Sequence, residues 1–257
     1  MESLTLPQRS SKPRSRGRTH GLDKGIGPDA VRDQLSVCGE YLDLVKLGWG
    51  TSVVTPVLRE KIDVYRAFGV DVCFGGTLFE LVVLQGRLDE YVAWMQDLGL
   101  TSVEVSDGTL EIEEAAKLRM IERLAADFTV FSEVGSKDAE AIVTPAKWLN
   151  AIEAELEAGA SHVILEGRES GTAGMYRKSG EIRMGLIDEI IDAGVPVERL
   201  VFEAPLKPQQ VWLIEHLGPE INLANIALDE VIPVETLRLG LRGDTLLALH
   251  GGDDGGS

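Results

Sequence analysis

The chain has 257 residues, 44% of them hydrophobic, and a formal net charge of −17. That charge argues against nucleic acid and anionic membranes as partners, but not against a small anionic ligand, because surface charge is screened beyond ~8 Å at physiological salt. Two cysteines, Cys38 and Cys73, suit a reducing compartment better than a disulfide framework. With no apolar run of membrane-spanning length and no hydrophobic leader, the expectation is a soluble cytoplasmic protein.

Residues 1–18 hold Arg9, Lys12, Arg14, Arg16 and Arg18 among Ser, Pro and Gly, without helical or strand period, and read as a flexible basic segment. A rhythm then begins, in which short apolar runs alternate with longer amphipathic stretches. "THGLD" (19–23) precedes "PDAVRDQLSVCGE", and "YLDLVKLG" (41–48) precedes "TPVLREKIDVYRAFG". "VDVCFGG" (70–76) leads into "TLFELVV" and "RLDEYVAWMQDLG"; "TSVEVSDG" (101–108) leads into "IEEAAKLRMIERLAADF". "FTVFSEVG" (128–135) is followed by "PAKWLNAIEAELEAG", and "SHVILEGR" (161–168) by "EIRMGLIDEIIDAG". "LVFEAP" (200–205) precedes "KPQQVWLIEHLG", and "INLANIAL" (221–228) precedes "VETLRLGLRG". Several helical stretches open with Pro and close on Gly, the expected start and stop signals. In 112–128, Ile112, Ala115, Ala116, Leu118, Ile121, Leu124 and Ala125 form the apolar stripe of a helix packed on one side. "GGDDGGS" (251–257) reads as a disordered tail. Strand-then-helix units repeated over 19–250 predict one α/β domain, a single (β/α)8 TIM barrel. An open doubly wound sheet is the competitor, and the near-equal units favour the barrel.

The strand ends are charged. Asp23 and Lys24 end the first run and Lys46 lies late in the second; Glu104 and Asp107 end the fourth, Glu133 and Lys137 the fifth. Glu166 and Arg168 end the sixth and Glu203 the seventh, while Asn222 and Asn225 sit in the eighth. Alternation puts Phe131 on one face with Glu133, and Ile164 with Glu166 and Arg168, without saying which face points inward. A lone strand carboxylate is ordinarily solvated or paired. Barrel strands are covered on both faces, so solvation is a weak explanation here. Buried unpaired charge costs several kcal/mol, and the same irregularity on five strands predicts one shared site at the C-terminal mouth. Lys and Arg suit phosphate or carboxylate groups. Asp and Glu, with no Cys and no histidine at a strand end except His20 and His162, suit Mg²⁺ better than zinc. In "EGRESGTAG" (166–174), hydroxyls and glycines such as Ser170 and Gly171 offer donors to a phosphate. A salt-bridge lattice that only stabilises the barrel is the bland alternative. The four histidines read as surface or packing residues, and Trp49 as a pocket wall or, equally, a core or interface residue.

"KPR" (12–14), "GRTHGLDKG", "VKLGWGTS", "CFGGTLFE", "VEVSDG", "SEVGSKD", "ILEGRESG" and "VFEAP", in that order, resemble the phosphosulfolactate synthase family of coenzyme M biosynthesis, from about Lys12 to Leu249. The resemblance implies a carbon–sulfur lyase that adds sulfite to phosphoenolpyruvate, giving (2R)-phospho-3-sulfolactate with Mg²⁺, in a homo-oligomer, a trimer by family expectation. On that reading Lys24, Lys46 and Arg168 would neutralise phosphate and sulfite, with Ser170, Gly171 and Asn225 as further substrate contacts. Glu104, Asp107, Glu133, Glu166 and Glu203 are the pool of metal ligands, direct or through water. Lys137, which resembles the lysine of the family's "SEVGSK" block, is the expected general acid. Three alternatives fit the same residues: a Schiff-base aldolase using one of the lysines, a barrel adding another nucleophile to phosphoenolpyruvate, and a non-catalytic barrel homologue.

Overall fold

The structure, a computed structural model, describes residues 3–135 and 144–251. Each predicted apolar run contains one strand: β1 (Thr19–Asp23), β2 (Leu44–Leu47), β3 (Asp71–Phe74), β4 (Ser102–Val105), β5 (Thr129–Val134), β6 (His162–Leu165), β7 (Leu200–Glu203) and β8 (Asn222–Ala227). All neighbours pair in parallel, in the order β3-β2-β1-β8-β7-β6-β5-β4. Eight parallel strands with helices between them thus form a nearly closed (β/α)8 barrel. At the seam, β3 and β4 lie side by side without a backbone ladder, and side chains bridge them. The Thr101 and Ser102 hydroxyls donate to Asp71 at 2.8 and 3.1 Å, and the Gly76 amide donates to Glu104 at 2.7 Å.

Two apolar layers hold the barrel. The larger lies between the sheet and the helices and is built from outward strand residues such as Val45, Val103, Val130, Val163 and Phe202 against helix residues such as Val31, Ile121, Trp148 and Ile187. The smaller fills the barrel itself: Leu44, Cys73, Phe131, Ile164, Val201 and Ala224. Each fully buried aliphatic or aromatic side chain contributes about 1.5–3 kcal/mol. The inner layer also settles the direction that alternation left open. Two positions beyond Leu44, Phe131, Ile164 and Val201 stand Lys46, Glu133, Glu166 and Glu203, so these charges share the inward face, one layer nearer the C-terminal mouth.

The helices Pro28–Cys38, Pro145–Glu157 and Lys207–Leu217 carry proline in their first turn, as the sequence signals predict. The stretch predicted as helix over 112–128 is helical over Glu114–Leu124. No helix among the described residues is long and apolar enough to cross a membrane.

Residues 3–18 form no helix or strand, as the missing period predicts, yet two of their arginines are held. Arg9 pairs with Glu220 and Glu235, and Arg14 pairs with Asp43 at 3.1 Å and donates to the Ser10 and Glu40 carbonyls. Both arginine side chains are less than a tenth exposed. The partners come from helix and loop positions up to 226 residues away, and no local pattern reveals them.

Candidate active site

A cavity of about 480 Å³ opens at the C-terminal ends of the strands. Lys46 from β2, Glu104 from β4, Glu133 from β5, Glu166 just past β6, Glu203 from β7 and Asn225 from β8 all line it. Its floor is electrostatically organised around Lys46, whose Nζ lies 3.0 Å from Glu104 and 3.0 Å from Glu203. Burial alone would lower the pKa of Lys46, but Glu104, Glu203 and Glu133 overturn that and hold it well above the ordinary lysine range. It stays charged. For Glu104 the balance runs the other way. Burial, with Glu133 and Glu203 nearby, outweighs Lys46 and pushes the carboxyl up to about 7.

Glu133, Glu166 and Glu203 are buried, and each offers one carboxylate oxygen, all within 4.8 Å of one another. Their supports differ. Glu203 accepts the Gly167 amide at 2.9 Å, Glu166 accepts the Arg168 amide at 2.5 Å, and Glu133 lies 2.9 Å from the Ser106 hydroxyl. Three close carboxylate oxygens, without sulfur or imidazole, form a donor set for a hard divalent cation.

Asp107 does not join them. The Lys117 ammonium takes it at 2.9 Å and also pairs with Glu155 at 2.7 Å, so this member of the expected ligand pool is engaged away from the cavity wall. Asp23 is likewise occupied, by Lys61 at 2.6 Å and the Tyr65 hydroxyl at 2.7 Å.

Of the expected substrate contacts, Lys46, Arg168, Ser170 and Asn225 line the cavity. Lys24 is exposed at the rim, its Nζ 5.9 Å from the centre of the Trp49 ring, and Trp49 itself forms part of the wall. Gly171 lies behind the wall, with its carbonyl accepting from Gln209 at 2.8 Å. Lys137 lies outside the described residues. Backbone geometry marks the same place independently: Trp49, Arg168 and Asn225 have φ of 50°, 58° and 59°, and all three face the cavity. Such conformations cost on the order of 1–3 kcal/mol each and concentrate at functional sites. The Asn225 Oδ1 is buried without a hydrogen-bond partner among the described residues, an acceptor aimed at whatever fills the pocket.

The sequence reading missed the support beneath Glu133. Glu80, from the helix Gly76–Leu84, is buried and accepts the Thr109 and Leu110 amides and sits 2.8 Å from the Ser106 hydroxyl. The available signal was a single carboxylate inside the otherwise apolar "GTLFELVVL". Gly75 and Gly76 were also missed. A Cβ on Gly75 would meet the Trp49 amide nitrogen at 2.6 Å, and one on Gly76 the Ser106 Cβ at 2.4 Å, so only glycines allow this helix to start at the cavity edge.

With this geometry in hand, the similarity to known proteins is decisive. A sequence model of the (2R)-phospho-3-sulfolactate synthase (ComA) family matches residues 7–244. The chain belongs to the phosphosulfolactate synthase family. It is 44% identical over 247 residues to the phosphosulfolactate synthase of Methanothermobacter thermautotrophicus, covering 93% of this chain and 95% of that one. To the Bacillus subtilis phosphosulfolactate synthase it is 42% identical over 245 residues, with 95% and 97% covered. Two solved structures are similar in fold alone. The YdjI aldolase of Escherichia coli has a TM-score of 0.55 at 12% identity, over 93% of each chain. The 3-hexulose-6-phosphate synthase of Salmonella typhimurium has a TM-score of 0.57 at 13% identity, over 86% of this chain and 98% of that one. The blocks through which the chain resembles phosphosulfolactate synthase supply most of the cavity. Trp49, Gly76, Glu104, Glu133, Arg168 and Glu203 come from six different ones.

Glu104 yields a measurable consequence in this phosphosulfolactate synthase fold. A carboxyl whose folded pKa is raised from 4.5 to about 7 contributes stability that is fully present below 4.5 and lost as pH rises through 7. Relative to the parent protein, Glu104→Gln should therefore gain stability between pH 5 and pH 8, by on the order of 1–3 kcal/mol. Urea midpoints across that range test it, and a flat difference would place the titration elsewhere.

Proposed function

We propose that the protein is a cytoplasmic, Mg²⁺-dependent carbon–sulfur lyase that adds sulfite to phosphoenolpyruvate, forming (2R)-phospho-3-sulfolactate, as a homo-oligomer. The observation that carries this reading is the trio of buried carboxylates beside a permanently charged lysine and an arginine, at one barrel mouth, in a member of the phosphosulfolactate synthase family.

The chemistry needs cations. Sulfite's sulfur lone pair attacks the methylene carbon of phosphoenolpyruvate, which pushes charge onto the substrate carboxylate, and a proton is then delivered to the central carbon. Two unit charges 4 Å apart repel by about 4 kcal/mol at an effective dielectric of 20, so a dianion meeting a trianion requires local compensation. Glu133, Glu166 and Glu203 are the residues that would hold Mg²⁺, which when bound supplies electrostatic stabilisation of that carboxylate. Arg168, on the cavity wall, and Lys24, at the rim, would meet the phosphate and sulfite oxygens. Ser170, the first-turn residue Thr77 and the acceptor Asn225 supply polar contacts along the same wall. Lys46, the third cation expected to meet phosphate and sulfite, also has carboxylate partners on the cavity wall. With Glu104 and Glu203 at 3.0 Å, its charge is already matched, and it fixes two carboxylates in place. The proton donor in this scheme is Lys137, which follows β5 in the chain and lies outside the described residues.

A Schiff-base mechanism fits the described lysines poorly. Lys46 is the lysine on the cavity wall among them, and its neighbours hold it protonated, whereas carbonyl attack needs the neutral amine. The deciding assay follows the enol-phosphate absorbance with and without sulfite and with and without Mg²⁺. Loss of signal is expected only when both are present. Lys137→Ala should remove turnover while phosphoenolpyruvate still binds; consumption without sulfite, or a borohydride-trapped adduct, would refute the proposal. Sedimentation of the same preparation tests the oligomer, with a trimer expected.

A further inference from the structure

The barrel has a second polar cavity, of about 510 Å³, at the end opposite the mouth. It opens at the N-terminal ends of β1, β2 and β3 and is lined by Lys12, Arg14, Arg18 and Arg66, with Asp43 and Asp71. Four cationic side chains gathered in a protein of net charge −17 stand out against its field. Both carboxylates are already used by the protein. Asp43 accepts the Thr19 amide at 2.9 Å and pairs with Arg14, and Asp71 accepts the Thr101 and Ser102 hydroxyls across the seam.

Part of this charge has a plain structural role. Lys12 donates to the Gly39 and Gly69 carbonyls at 2.7 and 3.2 Å, and Arg14 to those of Ser10 and Glu40, which straps the N-terminal segment down. Strapping does not account for Arg18. Its Nε is buried without a hydrogen-bond partner among the described residues, and its guanidinium carbon lies 5.8 Å from the centre of the Phe131 ring. Beside it, His20 and His162 pack on the same ring, centroids 5.1 and 5.2 Å away, and His20 Nε2 and His162 Nδ1 are also buried without partners. Burial, then Arg18, holds both imidazoles below their ordinary range, His162 at about 4, so near neutral pH the positive charge here belongs to Lys and Arg. A half-buried arginine with an unpartnered Nε, lining a cavity of excess positive charge, calls for an anion with several acceptor oxygens. In the proposed reaction the Lys12–Pro13–Arg14 block touches nothing, because it lies at the wrong end of the barrel.

We propose that this cavity is a second anion site that takes a small tetrahedral oxyanion group, phosphate or sulfonate, separate from the barrel mouth. Arg18 supplies the inner contact and Arg66, its side chain 38% exposed, the outer one.

The test reads binding and not turnover, so it stands apart from the fate of the proposed reaction. Thermal unfolding of the full chain is recorded at pH 7.5 against inorganic phosphate, with ionic strength held constant by sodium chloride. It is repeated with methanesulfonate, for the parent, Arg18→Gln, Arg66→Gln and the mouth variant Arg168→Gln. An anion that binds the folded state raises Tm in a saturable way. The expected result is a rise that survives Arg168→Gln and whose half-saturating concentration increases about tenfold in Arg18→Gln, the loss of one charge-assisted contact. Arg66→Gln should show a smaller shift in the same direction, and it decides the matter if Arg18→Gln does not fold. A response to phosphate alone or to methanesulfonate alone assigns the class. No saturable response to either anion, or one abolished by Arg168→Gln and unchanged in Arg18→Gln and Arg66→Gln, overturns the site.

Discussion

Lys46→Met should lose about 3–5 kcal/mol of folding stability at pH 8, and much of that loss should disappear by pH 5.5. Lys46 is the cation 3.0 Å from both Glu104 and Glu203, and Glu133 and Glu166 complete a group of four buried carboxylates on the same cavity wall. Methionine fills the space of the lysine stem, so the change isolates the charge. Without the ammonium the carboxylates can relieve their repulsion only by taking up protons. Glu104, pushed up to about 7 even with Lys46 present, is the first to do so. The sign follows from linkage: a carboxyl whose folded pKa exceeds its unfolded value stabilises below the unfolded value and loses that contribution as pH rises through the folded one. Removing Lys46 moves the folded value further up, so the deficit is widest above pH 7 and narrows towards pH 5. Urea unfolding at closely spaced pH values measures it. An equal loss at pH 5.5 and pH 8 would mean that the stem's packing, and not its charge, is what Lys46 contributes. Added Mg²⁺ should restore part of the stability at pH 8 if the carboxylate trio is a cation site, since a ligand bound only to the folded state adds to its stability.

How far the sequence carried this site can be judged residue by residue. The barrel was legible because its signals are local: period-two strands, a 3.6-residue stripe such as Ile121 and Leu124, and proline at helix starts. The inward direction of Glu133, Glu166 and Glu203 was half legible. The phase that ties them to Phe131, Ile164 and Val201 is in the sequence, but the identity of the inner face is a property of closure. Partnership was not legible at all. Asp107 and Glu203 look alike at strand ends, yet Lys117, ten residues further on and one helix away, claims the first, while Lys46, 157 residues distant, contacts the second. Nor did local pattern show that Arg9 and Arg14 would be anchored, since their acceptors are set by tertiary packing. The left-handed backbone at Trp49, Arg168 and Asn225 left no trace either. None of these is the glycine that such a conformation favours, so the strain is visible only in the fold.

The contrast between Asp107 and Glu203 gives the second large effect. Glu203→Gln should weaken divalent-cation binding by about 100-fold or more and reduce turnover by about 10²–10³-fold, whereas Asp107→Asn should leave cation affinity within about twofold. Glutamine keeps the volume and one carbonyl oxygen, so the Gly167 amide retains an acceptor. Lys46 retains Glu104, so no buried cation is stranded and the fold should survive. What is lost is one of the three anionic oxygens within 4.8 Å of each other, and a hard cation bound mainly by charge responds steeply to that loss. Asp107, held by Lys117 at 2.9 Å and absent from the cavity wall, changes local stability instead. Titration with Mn²⁺ followed by electron paramagnetic resonance, with Mg²⁺ as competitor, measures both variants on one scale. Equal weakening in the two would mean that the cation senses only the overall negative field of the mouth. Unchanged affinity in both would leave Lys46 and Arg168 as the charges that meet the substrate, and would remove the cation from these carboxylates.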